Sequence, residues 1–356
     1  MVTPAVVVDR GTLDANLRAM ADSAAHRGIA LRPHGKTHKS AEIARRQLAL
    51  GAAGLTVATI GEAETFAAAG VSDIFIAYPV WADAARSGRL RDLAGRIQLS
   101  VGVDSAAGVR ELAAALAGAP AQVLVEVDCG LRRSGVAPAD AGAVAAAADA
   151  AGLPVAGVFT FPGHSYAPGA PVPAAEDEAA ALTAGSASLA DAGLPGPVRS
   201  GGSTPSASLS LGPASDGPVT ELRPGVYAFN DAQQVVLGVC AVDQVALAVL
   251  ATVVSVPTAG RFILDSGAKV LGQDRPAWAP GHGLLPGYPD AVITGLWEHH
   301  AVVRHQAGQP APRAGDQVVV LPNHVCTVMN LVDSVYVAED GQVVDVWPVT
   351  ARGRNT

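Results

Sequence analysis

Residues 31–39 read Leu31-Arg32-Pro33-His34-Gly35-Lys36-Thr37-His38-Lys39, directly after the short apolar run Ile29-Ala30. That order places a basic, His-rich turn where a buried strand would end. At the mouth of a parallel barrel, a lysine in such company has its pKa lowered and becomes a nucleophilic amine, as Schiff-base chemistry requires. The plain alternative is a basic loop in water. The pattern on either side decides between them.

Working outward, β-prone runs alternate with Ala-rich helical stretches. The expected strands are Gly28–Arg32, Leu55–Thr59, Ile74–Tyr78, Ile97–Val103, Gln122–Asp128, Val155–Phe161, Val198–Gly202 and Gly225–Phe229, separated by segments such as Ala41–Leu50, Ala106–Ala117 and Ala139–Ala151. Eight βα units point to a TIM-type (β/α)8 barrel rather than an open dinucleotide-binding sheet, and no G-x-G-x-x-G follows the first strand. After about residue 240 helix signals fade. Val245–Val256, Arg261–Asp265, Gln317–Leu321, Ser334–Val337 and Gln342–Trp347 read as strands, with Gly272–Asp290 as a long Gly/Pro-rich loop. The expected organisation is a barrel over 1–240 and a mostly β domain over 241–356, with the leading strand Ala5–Val8 able to join either.

Composition sets outer limits. The chain has 356 residues, 49% of them apolar, and a formal charge of −8. No basic face suggests nucleic acid or an anionic membrane, and no apolar run is long enough to span a bilayer. The start, Met1-Val2-Thr3-Pro4, does not read as a signal peptide. Cys129, Cys240 and Cys326 are an odd number at wide spacings, which disfavours a disulfide framework and makes the cytoplasm the expected location.

Active sites of such barrels form at the C-terminal ends of the strands. Reading those ends gives His34 and Lys36 after the first strand and Glu126–Gly135 at the fifth. Pro162-Gly163-His164-Ser165-Tyr166 follows the sixth and Ser200-Gly201-Gly202-Ser203-Thr204 ends the seventh. Arg223-Pro224 precedes the eighth, which carries Gly225 and Tyr227. The Gly-Gly-Ser-Thr run offers backbone N–H groups and hydroxyls to an anion, next to Gly225, at the recurrent phosphate position of this architecture. A plain turn is the alternative. With a lysine across the same barrel mouth, a phosphorylated cofactor held as an imine is the economical explanation. In the β domain, Pro322-Asn323-His324-Val325-Cys326 is read as a strand end, where residues i and i+2 face one side, so His324 and Cys326 can share a divalent metal. A half-buried His beside a core Cys is the alternative. His299 and His300 are a further ligand source or simply surface residues.

These motifs resemble the D-threonine aldolase and D-serine dehydratase family, pyridoxal-phosphate enzymes of the alanine racemase fold type. The resemblance rests on Thr3–Met20, LRPHGKTHKS (31–40), EVDCGLRRSGV (126–136), PGHSY (162–166), SGGSTP (200–205), ELRPGVYAFND (221–231), LDSGAK (264–269) and PNHVCTVMNLVD (322–333), in order over nearly the whole chain. It implies that Lys36 holds the cofactor and that Arg133 lies near its phenolic oxygen. Ser203, Thr204, Gly225 and Val226 would cradle its phosphate, Tyr227 would be a further cofactor-binding residue, and Arg223 would face the pyridine nitrogen. His164 would lie near the substrate hydroxyl, and His324 and Cys326 would hold a divalent metal (Zn, Mn or Mg). The implied activity is a lyase on D-β-hydroxy-α-amino acids. Aldol cleavage of a D-threonine-like substrate to glycine and an aldehyde is the first reading. Dehydration of D-serine or D-3-hydroxyaspartate to a 2-oxo acid and ammonia is the second. No tyrosine stands in Leu264–Lys269, the expected place of the second racemase base, which argues against racemization. His-x-Cys rather than His-x-Asp leans toward dehydratases without deciding the matter. A homodimer is the family expectation. Two other classes stay open at this level. A non-catalytic cofactor-binding barrel is disfavoured by the additional β domain, and a metal hydrolase without organic cofactor would be colourless when purified.

Overall fold

The computed structural model describes residues 1–209, 217–306, 308 and 311–356. In chain order its elements begin with β1 (Ala5–Asp9), α1 (Arg10–His26), β2 (Ala30–Leu31), α2 (Ala41–Ala49), β3 (Leu55–Val57), α3 (Ile60–Ala68), β4 (Asp73–Pro79), α4 (Ala84–Ala94) and β5 (Gln98–Val103). There follow α5 (Ala106–Leu116), β6 (Gln122–Glu126), α6 (Ala141–Ala150), β7 (Val155–Phe159), α7 (Pro171–Asp191), β8 (Val198–Gly201), β9 (Glu221–Leu222) and α8 (Ala232–Val236). The last are β10 (Leu247–Thr258), β11 (Arg261–Leu264), α9 (Ala268–Leu271), β12 (Gly283–Leu284), β13 (Val292–Leu296), β14 (Ala301–Arg304), β15 (Gln317–Pro322), α10 (Val325–Leu331), β16 (Ser334–Glu339) and β17 (Gln342–Pro348). The chain forms two compact units. One gathers Ala19–Lys36, Ala41–Gly225 and Gly353–Thr356; the other gathers Met1–Arg18, Thr37–Ser40 and Val226–Arg352.

The first unit is the expected parallel barrel. Its strands run in the order β2-β9-β8-β7-β6-β5-β4-β3, every pairing parallel. A parallel bridge between His34 and Thr56 joins the end of β2 to β3 and closes the ring. The strands are short and covered on both faces, so Leu55, Val57, Ile74, Ile76, Val101, Val123, Val125 and Val158 are fully buried. They read as continuous apolar runs rather than alternation. Thr59, Asp83 and Ser105 cap the helices α3, α4 and α5, each accepting an N–H from the first turn. Inside the ring, Phe75 and Phe159 meet edge to face with centroids 5.1 Å apart. Gly102 makes the space for them, since a Cβ there would stand 2.6 Å from Phe159 Cζ.

Two sequence expectations move. The first strand is only Ala30–Leu31, and the eighth is Glu221–Leu222 rather than Gly225–Phe229. Pro224 has no N–H to give a ladder, and the residues after it coil into a 3-10 turn, Val226–Ala228. Val226, Tyr227, Ala228 and Phe229 are all buried, and an apolar run with no alternation looks alike in a strand and a turn.

The second unit is the expected β domain. Its main sheet runs β13-β14-β11-β10-β1-β16-β17, and β15 pairs with both β10 and β12. The opening strand therefore belongs here, antiparallel to β10 and parallel to β16. The two compact units divide at Gly225–Val226. Local hydrogen bonds give the reason: Asn16 Nδ2 donates to the carbonyls of Ala228 and Gln244 at 3.3 and 2.9 Å, and Ala246 N donates to Phe229 O at 2.6 Å. Strands β13 and β14 form a hairpin that the sequence reading did not anticipate. No helix among the described residues is long and apolar enough to cross a membrane.

Candidate active site

In the barrel unit, Lys36 follows β2 on a stretch of backbone held from two neighbours. His34 N donates to Pro224 O at 3.0 Å and Gly35 N to Thr56 O at 2.8 Å. A Cβ at Gly35 would come within 2.9 Å of both Leu55 and Phe66, so the residue before the lysine has no room for a side chain. The Lys36 ammonium stands 5.3 Å from the centroid of the Phe161 ring, and Arg133 lies at the same distance from that ring. Cation–π attraction favours both placements. His34, Lys36, Arg133 and Arg223, with Tyr78, Phe159 and Phe161, line a cavity of about 180 Å³. Strand ends thus bring three of the expected cofactor residues together.

Arg223 is buried and held rigidly. Its guanidinium donates to Ser200 Oγ and to Thr160 O, each at 2.6 Å, and it lies 5.3 and 5.6 Å from the ring centroids of Phe159 and Phe75. Burial pulls its pKa below the usual guanidinium value, against the attraction of Glu221, Glu178 and Glu126. Its Nε is buried without a hydrogen-bond partner. That is a donor waiting for an acceptor, consistent with a ligand ring atom.

Glu126, at the end of β6, is a further participant the sequence reading did not single out. Its Oε1 accepts from Ser134 Oγ at 2.9 Å and lies 3.9 Å from Arg133, while Oε2 is buried and unpartnered. Burial raises its pKa, opposed by Ser134 and Arg133.

The Gly-Gly-Ser-Thr run after β8 is organised by a buried carboxylate from α7. Gly202, at φ +87°, donates its N–H to Glu178 Oε1, and Glu178 is fully buried. Ser203 sits in a knot of hydroxyls, 2.7 Å from Ser165 Oγ and 2.8 Å from Ser206 Oγ, and its N–H donates to Ser206 Oγ at 3.1 Å. Ser203 and Thr204 are both buried. The loop therefore has the hydroxyl density expected of an anion cradle, with part of its backbone already committed. Glu178 gave no sequence signal, being one acid in an Ala-rich helix. Gly225 ends this unit, whereas Val226 and Tyr227, grouped with it from sequence, fall in the β unit.

His164 lies on a 3-10 turn, Gly163–Ser165. Its Nε2 is 3.3 Å from Asp177 Oδ2, and its Nδ1 is buried without a partner.

In the β unit, His324 and Cys326 do not lie on a strand. β15 ends at Pro322; His324 is the N-cap of α10 and Cys326 stands in the helix's first turn. The reason is Asn323, whose side-chain amide donates to Asp274 O at 2.9 Å and Gly281 O at 2.8 Å. That anchor turns the chain away from the sheet. Burial opposes charging of the His324 imidazole, but Cys326 and Asp231 outweigh it and raise its pKa well above the usual value. Asp231 Oδ2 lies 3.5 Å from His324 Nδ1. This is an electrostatic contact, and Nδ1 has no hydrogen-bond partner. Cys326 Sγ–H donates to Thr37 Oγ1 at 3.2 Å. His299 and His300 are exposed, between β13 and β14. Among the described residues no group of three or more His, Cys, Asp or Glu side chains forms a metal cage. An imidazole and a sulfur fit a cation that takes its other ligands from substrate or water. The barrel residues fit pyridoxal phosphate: an amine, two guanidinium groups, an unpartnered buried donor and a hydroxyl-rich loop.

Comparison with known proteins covers the whole chain. Residues 8–233 match the family described as alanine racemase, N-terminal domain, and residues 246–338 match the putative serine dehydratase domain. A D-threonine aldolase from Arthrobacter sp is 38% identical over 362 residues, spanning 99% of this chain and 93% of that protein. The D-threo-3-hydroxyaspartate dehydratase of Delftia sp. (strain HT23) is 36% identical over 352 residues, spanning 91% and 90%. Among solved structures, D-threonine aldolase from Filomicrobium marinum aligns with a TM-score of 0.86 at 31% identity, covering 99% of this chain and 96% of that one.

Proposed function

We propose a specific activity from one established premise: the chain belongs to the D-threonine aldolase and D-serine dehydratase family, pyridoxal-phosphate lyases of the alanine racemase fold. The proposed activity is cleavage of a D-β-hydroxy-α-amino acid of the D-threonine kind into glycine and an aldehyde, with a divalent metal. The observation that carries it is the 38% identity to an aldolase over 99% of the chain, with Lys36, Arg133 and Arg223 around one cavity.

Lys36 would hold the cofactor, Arg133 and Arg223 would flank it, and Ser203, Thr204 and Gly225 would receive its phosphate with the adjoining Val226 and Tyr227. When bound, pyridoxal phosphate supplies an electron sink for the charge that develops at Cα. A cation held by His324 and Cys326 would lower the pKa of the substrate hydroxyl. The residues supply the rest. His164 takes the β-hydroxyl proton in the aldolase reading, and Asp177, 3.3 Å from its Nε2, stabilises the imidazolium that results.

A second reading has its own observation. The His-x-Cys pair accompanies 36% identity to a hydroxyaspartate dehydratase. In that reading Lys36 would remove the Cα proton and hydroxide would leave, and water would then hydrolyse the released enamine to a 2-oxo acid and ammonia. Product analysis of the holo-protein with D-threonine and a divalent metal separates the two. Acetaldehyde and glycine support the aldolase; 2-oxobutyrate and ammonia replace it with the dehydratase. If D-threonine, D-serine and D-3-hydroxyaspartate all persist, both readings fail. A homodimer working in the cytoplasm completes the proposal, and light scattering of the purified protein tests the assembly.

A further inference from the structure

We propose that Asp231 and Thr37 are positioning residues for the metal pair His324 and Cys326, an inference that rests on the metal reading above. Asp231 is fully buried and lies at the start of α8, where its Oδ1 accepts Gln234 N at 3.0 Å. A capping carboxylate needs only that bond. The other oxygen does something else: it accepts Val325 N at 3.4 Å and faces His324 Nδ1 at 3.5 Å. One carboxylate oxygen therefore addresses both the imidazole and the peptide between the two metal-binding residues.

This is the arrangement that fixes a metal-binding histidine. A carboxylate at one ring nitrogen sets the tautomer, makes the other nitrogen a stronger donor and holds the ring's direction. With Asp231 at Nδ1, Nε2 is left for the cation. Nδ1 is buried without a hydrogen-bond partner, and the Asp231 carboxylate is the charged group that faces it.

Thr37 does the corresponding work on sulfur. It is fully buried, and its hydroxyl oxygen receives the Cys326 S–H at 3.2 Å. Metal binding releases the thiol proton to solvent. With a cation bound, the Thr37 hydroxyl would be free to donate to the sulfur instead and so hold its direction.

The test uses full-length holo-protein, stripped of metal and reloaded with zinc, and with cobalt(II) for spectroscopy. Asp231→Asn keeps a good helix cap and removes the negative charge, so a purely structural role predicts wild-type metal binding. Positioning predicts zinc affinity weaker by about 10- to 100-fold in a chelator competition, with cofactor absorbance retained. Thr37→Val should shift the thiolate-to-cobalt charge-transfer band, and Thr37→Ser should restore it. This second pair tests the arrangement from the sulfur side if Asp231→Asn does not fold. His324→Ala and Cys326→Ala are the controls. If they leave zinc affinity unchanged, the metal reading itself is wrong. If they abolish binding while Asp231→Asn and Thr37→Val behave as wild type, the metal reading stands and the positioning roles are refuted.

Discussion

Gly202→Ala should damage both the barrel and its phosphate cradle, by an amount the structure allows one to work out. Gly202 has φ +87°, where a non-glycine residue costs about 1–3 kcal/mol. The new Cβ would stand 2.7 Å from Leu222 Cδ2, with Arg223 N at 3.5 Å and Leu222 Cα at 3.7 Å. Leu222 is fully buried in β9, so it cannot swing into solvent, and relieving such overpacking costs about 1–3 kcal/mol more. Together these give roughly 2–6 kcal/mol, which for a chain of this size corresponds to a fall in melting temperature on the order of 3–8 °C. The loop's N–H to Glu178 is also displaced, so pyridoxal phosphate should lose affinity while pyridoxal, lacking the phosphate, loses little. The assay is thermal unfolding with and without each compound, and the decisive quantity is the ratio of the two affinities. An unchanged melting temperature would refute the strain argument. A lower melting temperature with an unchanged affinity ratio would refute the phosphate assignment alone. Gly201→Ala is the companion variant. Its backbone is not among the positive-φ positions, but its Cβ would collide with Glu178, so it tests the carboxylate clamp without the strain.

Lys36→Ala should abolish turnover and the yellow, borohydride-bleachable absorbance together; persistence of either would remove Lys36 from its role. Glu126→Gln keeps the acceptor for Ser134 and removes a carboxyl whose pKa is raised by burial from its ordinary 4.5. Because the native state holds that proton more tightly, the group's contribution to stability is present below the unfolded value and lost as pH rises through the folded one. The variant should therefore gain stability relative to wild type on going from pH 4 to pH 7, and a pH-independent difference in denaturant midpoint would contradict this. Burial pushes the Cys129 thiol up to about 11 and the Cys240 thiol to about 12, so at pH 8 their thiolate fractions are about one in a thousand and one in ten thousand. Native protein treated with iodoacetamide should keep both unmodified, and bound zinc should slow labelling of Cys326; rapid labelling of Cys129 by mass spectrometry would show that its burial is not what the packing indicates.

The barrel was legible because its strands are buried on both faces. Runs such as Val123–Val125 and Ile74–Ile76 have no polar side to confuse with a surface helix, and the helices between them are Ala-rich. The eighth strand was misplaced for the same reason in reverse: Val226–Phe229 is just as apolar, and only the missing N–H of Pro224 argues that the ladder stops at Leu222. His324 and Cys326, singled out by residue type as a candidate metal pair, were misplaced by local structure. Val325–Met329 is β-prone, and nothing at His324 resembles a helix cap, since the position makes no side-chain capping bond. What bends the chain is Asn323 reaching carbonyls some fifty and forty residues away in sequence, which no local pattern encodes. Asp231 did leave a trace. Asn230-Asp231 followed by Gln234 is a helix-start pattern, and reading it would have drawn attention to a carboxylate that then proves to face His324.

The division of labour along the chain turns on the peptide bond between Lys36 and Thr37. Lys36 closes a barrel segment and Thr37 opens a short passage, Thr37–Ser40, that belongs to the β unit. On the barrel side the backbone is fixed by the His34–Pro224 and Gly35–Thr56 hydrogen bonds. On the other side Thr37 meets Cys326, and Lys39 O accepts from Ala351 N at 2.9 Å and Thr350 Oγ1 at 3.2 Å. The residue that would carry the cofactor thus follows directly on backbone that the barrel holds by two hydrogen bonds. Catalytic groups work best when the scaffold is rigid up to the last rotatable bonds. This explains why the informative barrel residues sit in short, widely separated motifs: His34, Arg133 and Arg223 come from different strand ends to line one cavity with Lys36.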